Sequence, residues 1–155
     1  MYSKYTYLKI FYGGHKNMAM TDSYRKQHIE LLDLAVKLSG KLSKDVVIKE
    51  AGDIVSVLSQ FASKLNMHLT MEDKALYPKL ISSGNAKTSQ IAKDYMTEMG
   101  GIKQVVEKYI HSWSLAKNIA ADPEKLIQES KGIISALKGR IDKENNVLYP
   151  LADAL

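Results

Sequence analysis

Apolar residues recur along most of this chain at alternating spacings of three and four, which places them on one face of a helix. Proline, which interrupts helices, occurs only at positions 78, 123 and 150. The pattern predicts four helices, near residues 21–40, 44–80, 87–120 and 123–153. Asp122, Pro123 and Glu124 supply an N-cap, a first-turn proline and a first-turn acid, which mark the start of the last helix.

Each predicted helix has one continuous inward face. The inward positions are Tyr24, His28, Leu31, Ala35 and Leu38 in the first helix; Ile54, Leu58, Phe61, Leu65, His68 and Glu72 in the second; Ala92, Tyr95, Met99, Ile102, Val106, Tyr109 and Trp113 in the third; and Leu126, Ser130, Ile133, Leu137, Arg140, Glu144 and Val147 in the fourth. Four helices that each bury one face predict an all-α fold, an antiparallel up-down-up-down four-helix bundle.

The second and fourth helices contain related segments. Residues 68–78 align without gaps on residues 140–150, and both segments end in Leu-Tyr-Pro. In this alignment Glu72 is equivalent to Glu144, and Arg140 occupies the position of His68. The sequence therefore predicts a duplicated helical hairpin.

Residues 1–20 differ from the rest of the chain, because they are rich in tyrosine and lack the helical pattern. They also lack the long apolar region and cleavage site of a signal peptide. We interpret them as an N-terminal arm on a bundle of residues 21–155, as a short strand, or as an extension upstream of a natural start at Met18 or Met20.

Composition narrows the class of protein. The chain is 45% hydrophobic and 25% charged, as in soluble globular domains, and no apolar run approaches the roughly 20 residues of a membrane helix. Cysteine is absent, which excludes disulfides and thiolate metal sites and fits a cytoplasmic protein. The net charge is +5, but three lysines lie in the first 20 residues and the remaining charges are interspersed, so no nucleic-acid-binding face is indicated.

The inward faces include charged and polar side chains that an ordinary core does not contain. They are His28, His68, Glu72, Arg140 and Glu144. A buried charge costs several kcal/mol unless it is paired or bound to a metal. His68 and Glu72 lie four residues apart and so project from one face, one turn apart, which suits two ligands of one ion.

With these residues in place, the chain from about residue 24 to residue 151 resembles the hemerythrin-like HHE cation-binding family. The resemblance implies a four-helix bundle with a non-haem di-iron centre, used for oxygen binding, oxygen or redox sensing, or iron handling. It also implies that Glu72 and Glu144 match the glutamates that bridge the two metals. His28 and His68 match two histidines of one iron.

The histidines of the other iron are missing. Met99 stands in a Glu-Met-Gly-Gly-Ile segment where the family has Glu-His-x-x-Ile, and Arg140 replaces the histidine of the fourth helix. Arg140 is permanently charged, and its five donors suit carboxylates, so it can bridge Glu72 and Glu144 in place of the second cation. We expect it to contact at least one of these two glutamates.

Two interpretations remain open at this point. In the first, His28, His68, Glu72 and Glu144 hold at most one ion, a non-haem iron or else zinc or manganese, with Met99 and Arg140 lining the site. In the second, no metal is bound and the bundle is a regulatory or interaction module.

Other functions have weaker support in the sequence. No set of nucleophile, acid and base points to an enzyme. A haem between Met99 and a histidine is conceivable, but an inward methionine is usually core filler. His111 lies on the opposite side of its helix from the inward face and is expected outside the site.

The expected partner is a metal ion or a small ligand of the O2 type. We expect no binding to a membrane or to nucleic acid, and the sequence identifies no protein partner.

Overall fold

The structure, a computed structural model, describes residues 19–155, and no strand occurs in this range. Its helices are α1 (Asp22–Ser39), α2 (Lys44–Lys49), α3 (Ala51–Met71), π1 (Glu72–Leu76), α4 (Tyr77–Ile81), α5 (Ala86–Ser112), α6 (Ala116–Ala121), α7 (Pro123–Lys143), π2 (Glu144–Leu148) and α8 (Tyr149–Asp153). None of these helices is long and apolar enough to cross a membrane. The arm predicted for residues 1–20 lies outside the described residues, apart from Ala19 and Met20.

The long helices pack against one another along their inward faces. Helix α1 contacts α3 and α7, and α5 contacts α3, α4 and α7. Side-chain caps begin two of them, because Asn85 accepts a hydrogen bond from the backbone of Thr88 and Asp122 accepts one from Lys125. The all-α class is therefore confirmed. The up-down-up-down order of a four-helix bundle stays a prediction.

Two of the predicted helices are interrupted. The helix predicted over residues 44–80 is divided at Glu50, whose φ of −113° and ψ of 27° separate α2 from α3. The helix predicted over residues 87–120 ends at Ser112, so that prediction is wrong for its last part. Trp113 leaves helical geometry there, because its indole is buried and its Nε1 donates to Glu129 Oε2 at 2.7 Å.

Two π-helical turns occur at equivalent places in the repeat. One begins at Glu72 and the other at Glu144, and a tyrosine-proline helix follows each. A π turn has a wider spacing than an α turn, so it moves the inward face forward by about one residue. Val147, predicted to point inward, is therefore 42% exposed, whereas Leu148 and Tyr149 are fully buried. The inward prediction for Val147 is wrong, and the predicted equivalence of the two segments is confirmed.

The core consists of two apolar clusters. The larger is built mainly from α1, α3, α5 and α7, and the smaller contains Tyr24, Leu76, Tyr77, Leu80, Ala92, Leu148, Tyr149 and Ala152. Along α1, α3–π1 and α7–π2, the inward polar side chains lie between residues of the larger cluster and residues of the smaller one. We call the buried set His28, His68, Glu72, Arg140 and Glu144 the polar layer. It has apolar packing on both sides.

Candidate metal centre

The four predicted ligands of the polar layer come together. Among residues 19–155, His28, His68, Glu72 and Glu144 each offer one donor atom, and these atoms lie within 4.8 Å of one another. Helix α1 supplies the first histidine and α3 the second, while the two glutamates are the first residues of π1 and π2. All four side chains are at most 2% exposed. Two imidazole nitrogens and two carboxylate oxygens thus face one small volume that water cannot freely enter.

The distances between these donor atoms are those expected around a single ion. His28 Nε2 lies 3.2 Å from His68 Nε2 and 3.0 Å from Glu144 Oε2. His68 Nε2 lies 3.5 Å from Glu72 Oε1 and 4.0 Å from Glu144 Oε2. Ligands bound at about 2.0–2.2 Å from one ion are separated by about 3 Å when adjacent and about 4 Å when opposite. These four separations match that range, and no two donor atoms of the group are more than 4.8 Å apart.

Two amide side chains orient the imidazoles. His28 Nδ1 lies 2.9 Å from Asn145 Oδ1, and His68 Nδ1 lies 2.8 Å from Gln27 Oε1. An amide oxygen can only accept, so each Nδ1 carries a ring hydrogen and donates it to its amide. Each ring is thereby fixed with its Nε2 facing the other donor atoms. A metal ion bound there would be held by the two Nε2 atoms.

Arg140 fills the region next to Glu144. Its Nε donates to Glu144 Oε1 at 2.6 Å, and its Nη2 donates to the Tyr77 hydroxyl at 2.9 Å and to the Tyr95 carbonyl at 3.2 Å. Its Nη1 lies 3.6 Å from Glu98 Oε2. The predicted contact with at least one of the two glutamates is confirmed, at Glu144. No contact of Arg140 with Glu72 occurs among residues 19–155, so the guanidinium does not bridge the two glutamates, and its other donors face Tyr77, the Tyr95 carbonyl and Glu98.

The other family positions also lie where the inward faces place them. Met99 is 6% exposed and belongs to the larger apolar cluster, so the structure gives it a core environment. His111 is exposed on α5, and its predicted place outside the site is confirmed. His15 lies outside the described residues.

Burial and charge set the protonation of the two glutamates in opposite directions. Burial, reinforced by the charge of Glu144, raises the pKa of Glu72 to about 8. Burial also acts on Glu144, but hydrogen bonds from His28 and His68 and the charge of Arg140 outweigh it and lower its pKa to about 2. Burial lowers the pKa of His68. At neutral pH the metal-free site therefore contains one neutral acid and one carboxylate, and the carboxylate is paired with Arg140.

The comparison with protein families agrees with this geometry. The family model described as the hemerythrin HHE cation-binding domain matches residues 19–152, most of the chain. The chain belongs to this family. Neither a curated protein nor a solved structure matches the sequence. Family membership and the buried histidine–glutamate cluster together establish a cation-binding type of domain with a group of side chains suited to a metal.

The part of the polar layer around Arg140 and Met99, where the chain departs from the family pattern, does not fit a second ion. Arg140 places a fixed positive charge there, and Met99 offers only a weak thioether donor. The other half does fit one ion, because it has four converging donors and oriented imidazoles. In addition, Glu72 Oε2 is buried and has no hydrogen-bond partner among residues 19–155. A buried carboxyl oxygen without a partner calls for an explanation, and a bound ion is one that the chemistry of this site supports.

Several residues of the site are not evident from the pattern of inward positions. Gln27 and Asn145 are next to His28 and Glu144 in the chain. Each contacts a histidine of another helix, so these contacts depend on how the helices pack and not on the sequence pattern. Tyr77 and Tyr149 do carry a signal, since both recur in the repeat. Tyr149 donates to Glu72 Oε1 at 2.7 Å, and its oxygen lies 3.1 Å from His28 Nε2.

Proposed function

We propose that this protein binds a single metal ion, a non-haem iron, through His28, His68, Glu72 and Glu144, and acts in oxygen or redox sensing or in iron handling. One observation carries the proposal: four buried donor atoms of the right chemistry lie within 4.8 Å of one another. Their burial excludes the ordinary alternative of a solvated surface cluster. We further propose a cytoplasmic location, an arm at residues 1–20, and a four-helix bundle over residues 21–155.

A stoichiometry of one ion follows from electrostatics. Arg140 contacts Glu144 at 2.6 Å and is 1% exposed, so its charge is poorly screened. A second divalent ion beside it would experience strong repulsion, since the Coulomb energy between charges at contact distance rises as the local dielectric falls. The ion of this protein then lies on the side of Glu144 that faces the two histidines.

The donor set restricts the identity of the ion. Two imidazoles and two carboxylates suit Fe(II), Mn(II) and Zn(II). They do not suit a soft ion that prefers thiolate ligands. Membership of the hemerythrin HHE family favours iron. Zinc competes through its higher intrinsic affinity for nitrogen and oxygen ligands.

The test is a metal count on protein purified without a metal-affinity column. We expect elemental analysis and anaerobic Fe(II) titration to give one ion per chain, and His68→Ala to lower the affinity strongly. His111→Ala is the matched control, because this histidine is exposed and away from the layer. Two tightly bound irons per chain, or no metal after titration with all three ions, would contradict the proposal.

A metal-free regulatory or interaction module is the second candidate. The network of Arg140 supports it, because the guanidinium supplies a permanent counter-charge to Glu144 and a donor to Tyr77. In this case the purified protein contains no metal, and addition of Fe(II), Mn(II) or Zn(II) leaves its thermal unfolding unchanged.

A further inference from the structure

Tyr149 lies among the four donor atoms and not outside them. Its hydroxyl oxygen is 2.7 Å from Glu72 Oε1 and 3.1 Å from His28 Nε2. These separations are close to the shorter ones among the predicted ligands, 3.0 and 3.2 Å, and they suit adjacent ligands of one ion. The side chain is fully buried and stacks on His28, with ring centroids 5.1 Å apart and an angle of 13° between the rings. Its oxygen is therefore held in place.

We propose that Tyr149 is a fifth ligand and binds the ion as a phenolate when the ion is Fe(III). This inference rests on the proposed metal site and adds to it a residue that makes the site selective for the ferric state. In the binding step the O–H bonds of the phenol and of the protonated Glu72 carboxyl break, oxygen–iron bonds form at both groups, and the two protons leave to water. The iron is supplied already oxidised, so no electron is transferred.

The charge of the buried site supports a third anionic ligand. Glu72 and Glu144 balance two of the three positive charges of Fe(III), and Arg140 adds a further positive charge beside Glu144. An uncompensated charge at this depth is costly. With Fe(III) bound, the ion and Arg140 carry four positive charges against two negative ones, and a phenolate lowers this excess from two charges to one. The hard phenolate oxygen also suits a hard trivalent ion. A divalent ion beside the same two carboxylates already has an excess of only one charge, so it leaves the phenol protonated.

The repeat provides an internal parallel. Tyr77 is the equivalent of Tyr149 in the first half, and its oxygen accepts a hydrogen bond from Arg140 Nη2 at 2.9 Å. Arg140 stands where the family has a ligand of the second metal. In both halves, then, the tyrosine that follows the π turn directs its oxygen towards the polar layer. In the first half that oxygen already contacts a cation.

The experiment uses the full chain titrated with ferric citrate. We expect about one Fe(III) per chain by elemental analysis, a visible tyrosinate-to-iron charge-transfer band, and tyrosinate ring modes in resonance Raman spectra excited in that band. Tyr149→Phe should retain iron and lose both signals. Tyr109→Phe is the matched control, because it also removes a buried hydroxyl, one that is bonded to Ser130 in the larger apolar cluster.

Each outcome has a definite meaning. Wild-type protein that holds Fe(III) without the band and the Raman modes overturns the ligand role of Tyr149 and leaves the four-donor site intact. A band that survives Tyr149→Phe, or that disappears in Tyr77→Phe instead, also overturns it. Failure to bind Fe(III) overturns the ligand role of Tyr149, and anaerobic titration of the same protein with Fe(II), Mn(II) and Zn(II) then decides the four-donor site. If Tyr149→Phe does not fold, the wild-type Raman spectrum decides, since tyrosinate modes support the proposal and their absence overturns it.

Discussion

At the scale of single residues, the acids and the arginine of the polar layer are buried in two different ways. Arg140 and Glu144 are both charged and form an ion pair, with both side chains 1% exposed. Glu72 is uncharged at neutral pH, because burial and the nearby charge of Glu144 raise its pKa to about 8. The ion pair and the raised pKa have different consequences for stability.

Replacement of Arg140 by leucine should destabilise the metal-free protein by ~3–5 kcal/mol, because it leaves the Glu144 carboxylate buried without its guanidinium. The measurement is the free energy of unfolding from urea denaturation at neutral pH. Lys143→Leu is the control. Lys143 forms a surface ion pair with Glu98 and its side chain is 54% exposed, so its loss should cost less than ~1 kcal/mol. A loss below ~1 kcal/mol for Arg140→Leu would show that the guanidinium contributes nothing.

Replacement of Glu72 by glutamine should change how the stability of the metal-free protein depends on pH. In the unfolded chain this carboxyl loses its proton near the ordinary glutamate pKa of 4.5, while in the folded protein it retains the proton up to about 8. Stability from this group is therefore complete below pH 4.5 and is lost as pH rises through 8. Glutamine cannot lose a proton in this way.

We therefore expect the stability of Glu72→Gln relative to wild type to improve steadily from pH 5 to pH 8, as measured by urea denaturation in the presence of a chelator. The same comparison for Glu30→Gln, on a partly exposed surface residue, should show no such trend. A difference between wild type and Glu72→Gln that stays constant over this range would refute the raised pKa.

At the scale of helical elements, the two π turns decide which side chains reach the layer. Each turn starts at a glutamate and widens the helix, so the residues four and five positions later point inward. This places Leu148 and Tyr149 in the core and leaves Val147 at the surface. Without the second turn, a simple three-four pattern would have brought Val147 inward.

Alanine substitutions at adjacent positions test this shift in phase. Val147→Ala should change the free energy of unfolding by less than ~0.5 kcal/mol, because the side chain is 42% exposed. Leu148→Ala should cost ~2–5 kcal/mol, because it opens a cavity in the smaller apolar cluster. Urea denaturation of the two variants gives both values. Equal costs, or a larger cost at Val147, would mean that an ordinary α turn exists here.

The sequence predicts the elements that follow from periodicity and repetition, and misses those that depend on tertiary contact. His28, His68, Glu72 and Glu144 are found because they occupy inward positions, and the last three also lie in the repeated segments. The break at Trp113 is missed because it depends on a hydrogen bond to Glu129 on another helix. The orienting amides of Gln27 and Asn145 are missed for the same reason, since side-chain amides have no periodicity of their own.

At the scale of the whole molecule, the duplicated hairpins are alike in backbone and unlike in chemistry. Both have a glutamate, a π turn, a tyrosine and a proline in the same order. The first half also contains His28 and His68, whereas the second half has Met99 and Arg140. On the proposed function, the second half keeps the glutamate and the π turn but has a methionine and an arginine where a second ion would need ligands.

The double variant Met99→His, Arg140→His should bind more iron than the wild-type protein. It adds two imidazoles at family ligand positions and removes the competing cation. Either single variant should gain less, because one retains the cation and the other retains a missing ligand. Elemental analysis after anaerobic Fe(II) titration gives the count, with helical circular dichroism as the test of folding. A folded double variant with no additional iron would contradict the geometry inferred for this half.

Hydrogen bonds between the start of α1 and the end of α8 are expected to affect the rate at which a bound ion exchanges. Thr21 donates from its backbone and from its hydroxyl to the carboxylate of Asp153, at 3.0 and 2.8 Å. These bonds hold together an end of the molecule where the smaller apolar cluster covers the layer. On the proposed function an ion lies beneath this packing, and we expect the rate at which the packing opens to limit its release.

The release rate should accordingly rise with chelator concentration and then reach a plateau, and two unrelated chelators should share the same plateau. Asp153→Ala should raise that plateau, because it removes both bonds from Thr21. Stopped-flow mixing of metal-loaded protein with excess chelator measures these rates. A rate that continues to rise in proportion to chelator concentration would mean that the chelator reaches the ion directly. With a shared plateau, the lifetime of the bound ion is a property of the fold itself, and a competing ligand in solution can take the ion no faster than the helices part.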